Sequence, residues 1–206
     1  KYERMSNVIS DYLKSKLKVK DIEFDKITRK FVFDFDEYLR FDRIHRNNKG
    51  LANNTAVKYI RNVSVMINHS VKRGLINNNP FLVFDGKLED IETTFLTLEE
   101  LRKIEKKVLF NNRLDVVRDI FLFSCYTSYA PIDIKNLRRG NCILDEDCDS
   151  WLETRRQKTG IRTNVLAIPP LKRIIEKYKN NPECENDNRL IPDRSNSNVN
   201  AYLKEI

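Results

Sequence analysis

Val57, Ile60, Val63, Ile67 and Val71 recur at intervals of three and four residues, and that spacing requires a helix with one apolar stripe that must be buried against other elements. The helix is expected to open at Thr55, reach about Arg73 and stop at Gly74. Lys58, Arg61 and Asn62 fall off the stripe and face solvent or a ligand. Similar spacing of Met5, Val8, Ile9, Tyr12 and Leu13 predicts a first helix over residues 2–17. Lys14, Lys16 and Lys18 gather at its C-terminal end, where a helix favours cations. Thr28 can cap a second helix through Phe41, ended by a polar run over 45–50.

Residues 43–84 hold seven cations, Arg43, Arg46, Lys49, Lys58, Arg61, Lys72 and Arg73, together with nine Asn and not one Asp or Glu. Amides and cations without competing carboxylates can contact phosphate oxygens at many points and repel none, so nucleic acid is the leading partner. The net charge is +8, of which +5 lies in the first 92 residues. A hydrophobic content of 40% with 33% charge describes a soluble globular protein, and no apolar run is long enough to span a bilayer. No membrane or secretion segment is expected, and the expected location is cytoplasmic. Cys125, Cys142, Cys148 and Cys184 form no C-x-x-C pair and have no nearby His, which suggests reduced thiols rather than a metal or redox site. The first residue is Lys, which hints at a fragment of a longer protein.

The pattern loosens from Asn77 onward, with an Asp85-Gly86 turn and acidic Glu89, Asp90 and Glu92. A linker is expected over 85–96, between a first domain, 1–84, and a second, 97–206. In the second, Thr97 with Glu99 and Glu100 starts a helix, and residues 113–126 form a core helix on their Val116, Val117, Ile120, Phe121 and Phe123 side. Pro131, Ile132, Ile134 and Leu137 give a short helix ending at Gly140. Residues 142–144, 151–156 and 163–168 alternate as three antiparallel strands. Pro169 or Pro170 begins a helix through Tyr178, and Ser195 caps a last one running to Ile206. The fold class is mainly α (α+β).

The turn between the last two strands carries Arg155, Arg156, Lys158 and Arg162 with no acid over 154–162. A lysine on such a turn has a flexible stem and a titratable ammonium, and beside a phosphodiester it can protonate a departing alkoxide. By spacing alone, a solvated basic turn is the ordinary alternative.

These pieces, in this order, resemble the tyrosine recombinase (phage integrase) family, particularly the integrases of Bacteroidetes mobile elements. Residues 54–59 (Asn-Thr-Ala-Val-Lys-Tyr), Gly74-Leu75-Ile76 and Asn79-Pro80-Phe81 resemble the close of that family's helical core-binding, SAM-like domain. Residues 95–101 are similar to the entry to its catalytic domain, and 121–127 with 133–137 to its first active-site box. Residues 156–160 are similar to its active-site lysine hairpin, and 195–204 to the helix before its His-x-x-Arg box. The resemblance implies a SAM-like domain followed by the first part of a mixed α/β catalytic domain with a small three-stranded antiparallel sheet.

It also implies site-specific DNA recombination and integration of a mobile element, with no metal and no other cofactor. A tyrosine attacks a phosphodiester and a 5'-hydroxyl later reverses the step. Lys158 matches the general acid, and Asp133 the acidic residue that supports the site. DNA contact is expected from Thr55, Lys58, Arg61 and Asn62 and from Arg155, Arg156, Lys158 and Thr159, both sets meeting one duplex. The implied partner is double-stranded DNA at attachment sites, with a homotetramer on paired sites for the full protein and a monomer for this chain.

Two departures stand out. Ala130 occupies the place where most of the family has Arg, so a cation must come from elsewhere, and Arg138 and Arg139 are the candidates. The His-x-x-Arg box and the nucleophile are expected beyond Ile206, since His45 and His69 begin no such box. This chain alone is therefore expected to bind DNA and cleave nothing. A recombinase-like protein that only binds DNA, and a helical interaction protein with incidental basic charge, remain the alternatives.

Overall fold

The computed structural model describes residues 2–45, 47–144 and 150–206. The chain divides into two compact units, Lys1–Thr93 and Thr94–Ile206. Arg46 and Cys148 lie outside the described residues.

In the first unit, α1 (Tyr2–Tyr12) buries Met5, Val8 and Tyr12 and runs on into a wider π turn, Leu13–Leu17, which ends at left-handed Lys18. The Thr28 hydroxyl accepts from the Phe31 amide and caps α2 (Arg29–Glu37), which buries Phe31, Val32 and Phe35. The polar run expected to end the second helix holds a short antiparallel ladder, β1 (Ile44–His45) with β2 (Asn48–Lys49). Gly50 closes it at φ +81°, and a Cβ there would lie 2.0 Å from the Arg40 carbonyl oxygen.

Helix α3 (Asn53–Lys72) starts two residues before Thr55, because extended Ala52 begins the helix with no side-chain cap. Its stripe buries Val57, Ile60, Val63 and Ile67 as expected, and Gly74 follows at φ +71°. The loosened stretch after Asn77 is in part core. Asn79 is buried, donates to Asn68 and Ser64, and caps a 3-10 turn, Pro80–Val83, that seats Phe81.

The Tyr12 ring sits 5.3, 5.1 and 5.1 Å from Phe31, Phe35 and Tyr38 at the centre of this core. Burial and the negative charge of Asp34 push its phenol up from 10.0 to about 12. The unfolded chain ionises first, so this contribution to stability is full below pH 10 and is lost as pH rises from 10 to 12. Urea titrations across that window should show the wild type losing more stability than Tyr12→Phe, and parallel curves would refute the assignment.

In the second unit, Thr97 and Glu100 form a reciprocal capping box at the start of α4 (Leu98–Lys106). Helix α5 (Asn112–Thr127) buries Val116, Val117, Ile120, Leu122 and Phe123; Phe121, expected in the core, is half-buried. Short α6 (Pro131–Asn136) ends before the expected Gly140, and a 3-10 turn, Arg139–Asn141, leads to the sheet. Strands β3 (Cys142–Leu144), β4 (Ser150–Arg155) and β5 (Arg162–Leu166) pair antiparallel in that order, with Leu152 opposite Val165 and Arg155 opposite Arg162. Then come α7 (Pro169–Lys177), an unanticipated α8 (Pro182–Asn186) and α9 (Asn196–Tyr202), which is capped by Ser195 and stops short of Ile206.

One buried carboxylate ties α5 to α7. Asp119 is 3% exposed and accepts from the Arg118 guanidinium at 2.8 Å and from the Tyr178 hydroxyl at 2.9 Å, with the Lys177 ammonium completing the set. Among the described residues, no helix is long and apolar enough to cross a membrane.

Candidate nucleic-acid interface

Each unit carries a candidate surface. In the first, Thr55, Lys58 and Asn62 of α3 line a groove of about 650 Å³ together with Glu3, Arg4 and Asn7 of α1. Their spacing of three, four and seven residues places all three on one side of the helix, beside the buried stripe. None of the three side chains has a hydrogen-bond or ion-pair partner among the described residues. Glu3 and Asn7, four residues apart, face the groove because α1 turns Met5, Val8 and Tyr12 into the core. That signal was present in the sequence, but assigning it needed the pairing of α1 with α3.

Arg61, expected to contact DNA, behaves differently, for its guanidinium donates to the Gly86 carbonyl at 3.0 Å. The acid-free window is also less cationic in space than in sequence. Arg43 pairs with Asp11 at 3.2 Å and Lys49 with Asp42 at 3.8 Å, both acids coming from outside the window.

The second surface is the β4–β5 turn. The Arg156 carbonyl accepts from the Gly160 amide at 2.7 Å, Gly160 takes φ +70°, and Arg156 N donates to Ile161 O at 2.9 Å. Arg155, Arg156, Lys158 and Thr159 are all exposed on it, with Arg155 donating to the Gly160 carbonyl at 3.3 Å. Asp133, 3% exposed at the first turn of α6, accepts from the Gln157 amide at 2.9 Å, one residue before Lys158. Buried Tyr129 adds a second tether, donating to the Leu152 carbonyl of β4 at 2.7 Å. Burial pushes its phenol up, which keeps that donor protonated. The corner joining α5 to α6, residues 127–133, therefore fixes the hairpin at two heights.

Ala130 is exposed, at the N-cap of α6. Neither candidate substitute cation is free. Arg138 donates to the Lys135 and Leu137 carbonyls at 3.1 Å, closing the end of α6, and Arg139 donates to the Lys179 carbonyl just past α7.

Residues 1–89 match the family model of the phage integrase SAM-like domain. The first unit is thus similar to a phage integrase SAM-like domain. The groove between α1 and α3 lies wholly within the matched residues, and the β4–β5 turn lies wholly outside them. Across both units, the chain is similar in fold to part of lambda integrase. It is similar to a lambda integrase dimer bound to a COC' core site, at TM-score 0.67 and 16% identity over 100% of this chain and 57% of that one. It is also similar to a lambda integrase tetramer bound to a Holliday junction (0.66, 16%, 99% and 59%) and to lambda integrase residues 75–356 bound to DNA (0.65, 17%, 100% and 70%). No curated protein matches the chain. The chain spans 57% of the length of the first of these integrases. The resemblance to the tyrosine recombinases thus rests on a domain match in the SAM-like region and on a shared fold, mostly helical with a small three-stranded antiparallel sheet, over both units.

Proposed function

We propose that the chain is the DNA-holding part of a tyrosine recombinase that carries out site-specific recombination of a mobile element. In this reading residues 1–84 form the core-binding domain, 85–96 the connector and 97–206 the first part of the catalytic domain. The partner is duplex DNA at attachment sites, bound by a monomer of this chain and by a tetramer of the full protein on paired sites. The observation that carries the reading is the exposed cationic turn at Arg155, Arg156 and Lys158, held in place by buried Asp133.

Chemically, a tyrosine of the full protein attacks phosphorus, the bond to the 5' oxygen breaks, and the Lys158 ammonium gives that oxygen its proton. Asp133 positions the turn, and Arg155, Arg156 and Thr159 contact neighbouring phosphates. Thr55, Lys58 and Asn62 engage DNA from the first domain, where phosphate contacts set register and amides can meet base edges.

Duplex affinity measured by fluorescence anisotropy across a salt series tests the binding half. A plot of log K against log[salt] should slope at about −0.9 per neutralised phosphate, and Lys58→Ala and Lys158→Ala should each flatten it by about 0.9. Affinity indifferent to salt would overturn the reading.

A protein that occupies DNA without cutting it is the second reading. What favours it is that Arg138 and Arg139 must leave main-chain carbonyls before either could replace the cation missing at Ala130. The full-length protein on a nicked attachment site decides between the two, since a covalent protein–DNA adduct supports the enzyme and its absence on every cognate site supports the binder.

A further inference from the structure

The connector does not hang free beside the first domain. Its main chain is laid along α3 by four hydrogen bonds: Asn53 Nδ2 to Lys87 O (2.9 Å), Asn54 Nδ2 to Glu89 O (2.8 Å), Glu89 N to Asn54 Oδ1 (2.8 Å) and Arg61 to Gly86 O (3.0 Å). Asn54, Lys58 and Arg61 stand at i, i+4 and i+7, one face of the helix, so the tethers at Asn54 and Arg61 bracket Lys58. The same stretch carries Asp85, Glu89, Asp90 and Glu92 against a single Lys87. All four carboxylates are exposed, and none forms an ion pair among the described residues.

We propose that residues 85–92 are an autoinhibitory strap: their carbonyl oxygens occupy the donors of α3, and their unpaired carboxylates place negative charge beside Lys58, in the manner of a nucleic-acid backbone. The inference rests on the DNA-binding reading above. Carbonyl and phosphate oxygens compete for the same amide and guanidinium donors, and a strand of DNA approaching Lys58 meets the strap's charge first. Duplex affinity is then reduced in proportion to the fraction of molecules with the strap closed. DNA that engages Lys58 and takes Arg61 from the Gly86 carbonyl opens the strap.

Two variants of the 206-residue chain separate the parts of this device. Asn54→Ala removes both bonds to Glu89, and it should tighten duplex binding by roughly threefold to tenfold, the range expected from losing two exposed hydrogen bonds that favour the closed state. The triple change Glu89→Gln, Asp90→Asn, Glu92→Gln keeps the main-chain bonds and removes only charge. It should also tighten binding, with a gain that fades as salt rises. Hydrogen exchange supplies a readout in the unmodified chain, where the Glu89 amide should be protected when free and lose that protection on adding duplex. If Asn54→Ala binds equally or more weakly, or if the Glu89 amide stays protected with DNA bound, the strap is refuted while salt-dependent binding by the wild type leaves the DNA reading standing. If neither wild type nor either variant shows salt-dependent affinity, the DNA reading falls and the strap falls with it. Affinity that emerges only in Asn54→Ala supports both.

Discussion

Replacing Asp119 with alanine is expected to destabilise the second unit by about 2–4 kcal/mol, because it removes a buried acceptor, leaving the buried Tyr178 hydroxyl without one and Arg118 and Lys177 with Asp115 alone. The carboxylate is almost fully enclosed, and three groups converge on it: the Arg118 guanidinium, the Lys177 ammonium and the Tyr178 hydroxyl. Asp115 can still take Arg118 and Lys177, but nothing else among the described residues accepts from Tyr178. The effect should reach function, since α5 leads directly into the corner that carries Tyr129 and Asp133. Chemical denaturation measures it. A loss under about 1 kcal/mol would mean that the cluster behaves as a solvated pair.

The other large effect is expected at Phe35. Its side chain is fully buried, with its ring 5.1 Å from Tyr12 and 6.3 Å from Phe31. Alanine there removes a ring from the middle of the aromatic cluster and leaves a cavity, at a cost of about 3–5 kcal/mol. In a unit of this size the melting midpoint should fall by about 15 °C or more, read by circular dichroism. A fall below about 5 °C would show that Tyr12 and Tyr38 collapse into the space.

Both sites illustrate what the sequence could disclose. The stripe of α3 was legible because a one-sided helix repeats its burial every turn, and the Thr28, Thr97 and Ser195 caps because capping is local chemistry. Asp119 was not, since an acid in an apolar helix reads as a surface residue until α7 brings Lys177 and Tyr178 to it. Phe81 shows the same limit, for its Asn- and Pro-rich surroundings break the helical pattern while its ring belongs to the first core. For the interface, the basic turn was plain because its cations are contiguous. The face of α3 is legible in its spacing, but not that the Gly86 carbonyl lies against Arg61 on it. Arg4 and Asn7 join that face only through the packing of α1 alongside α3.

The bond from the Gln157 amide to Asp133 involves main chain on the hairpin side. Every amino acid except proline carries that N–H, so position 157 can drift in side chain while its neighbour keeps its bearing. Selection is thereby free to vary the loop's side chains without disturbing the pivot from which Lys158 projects.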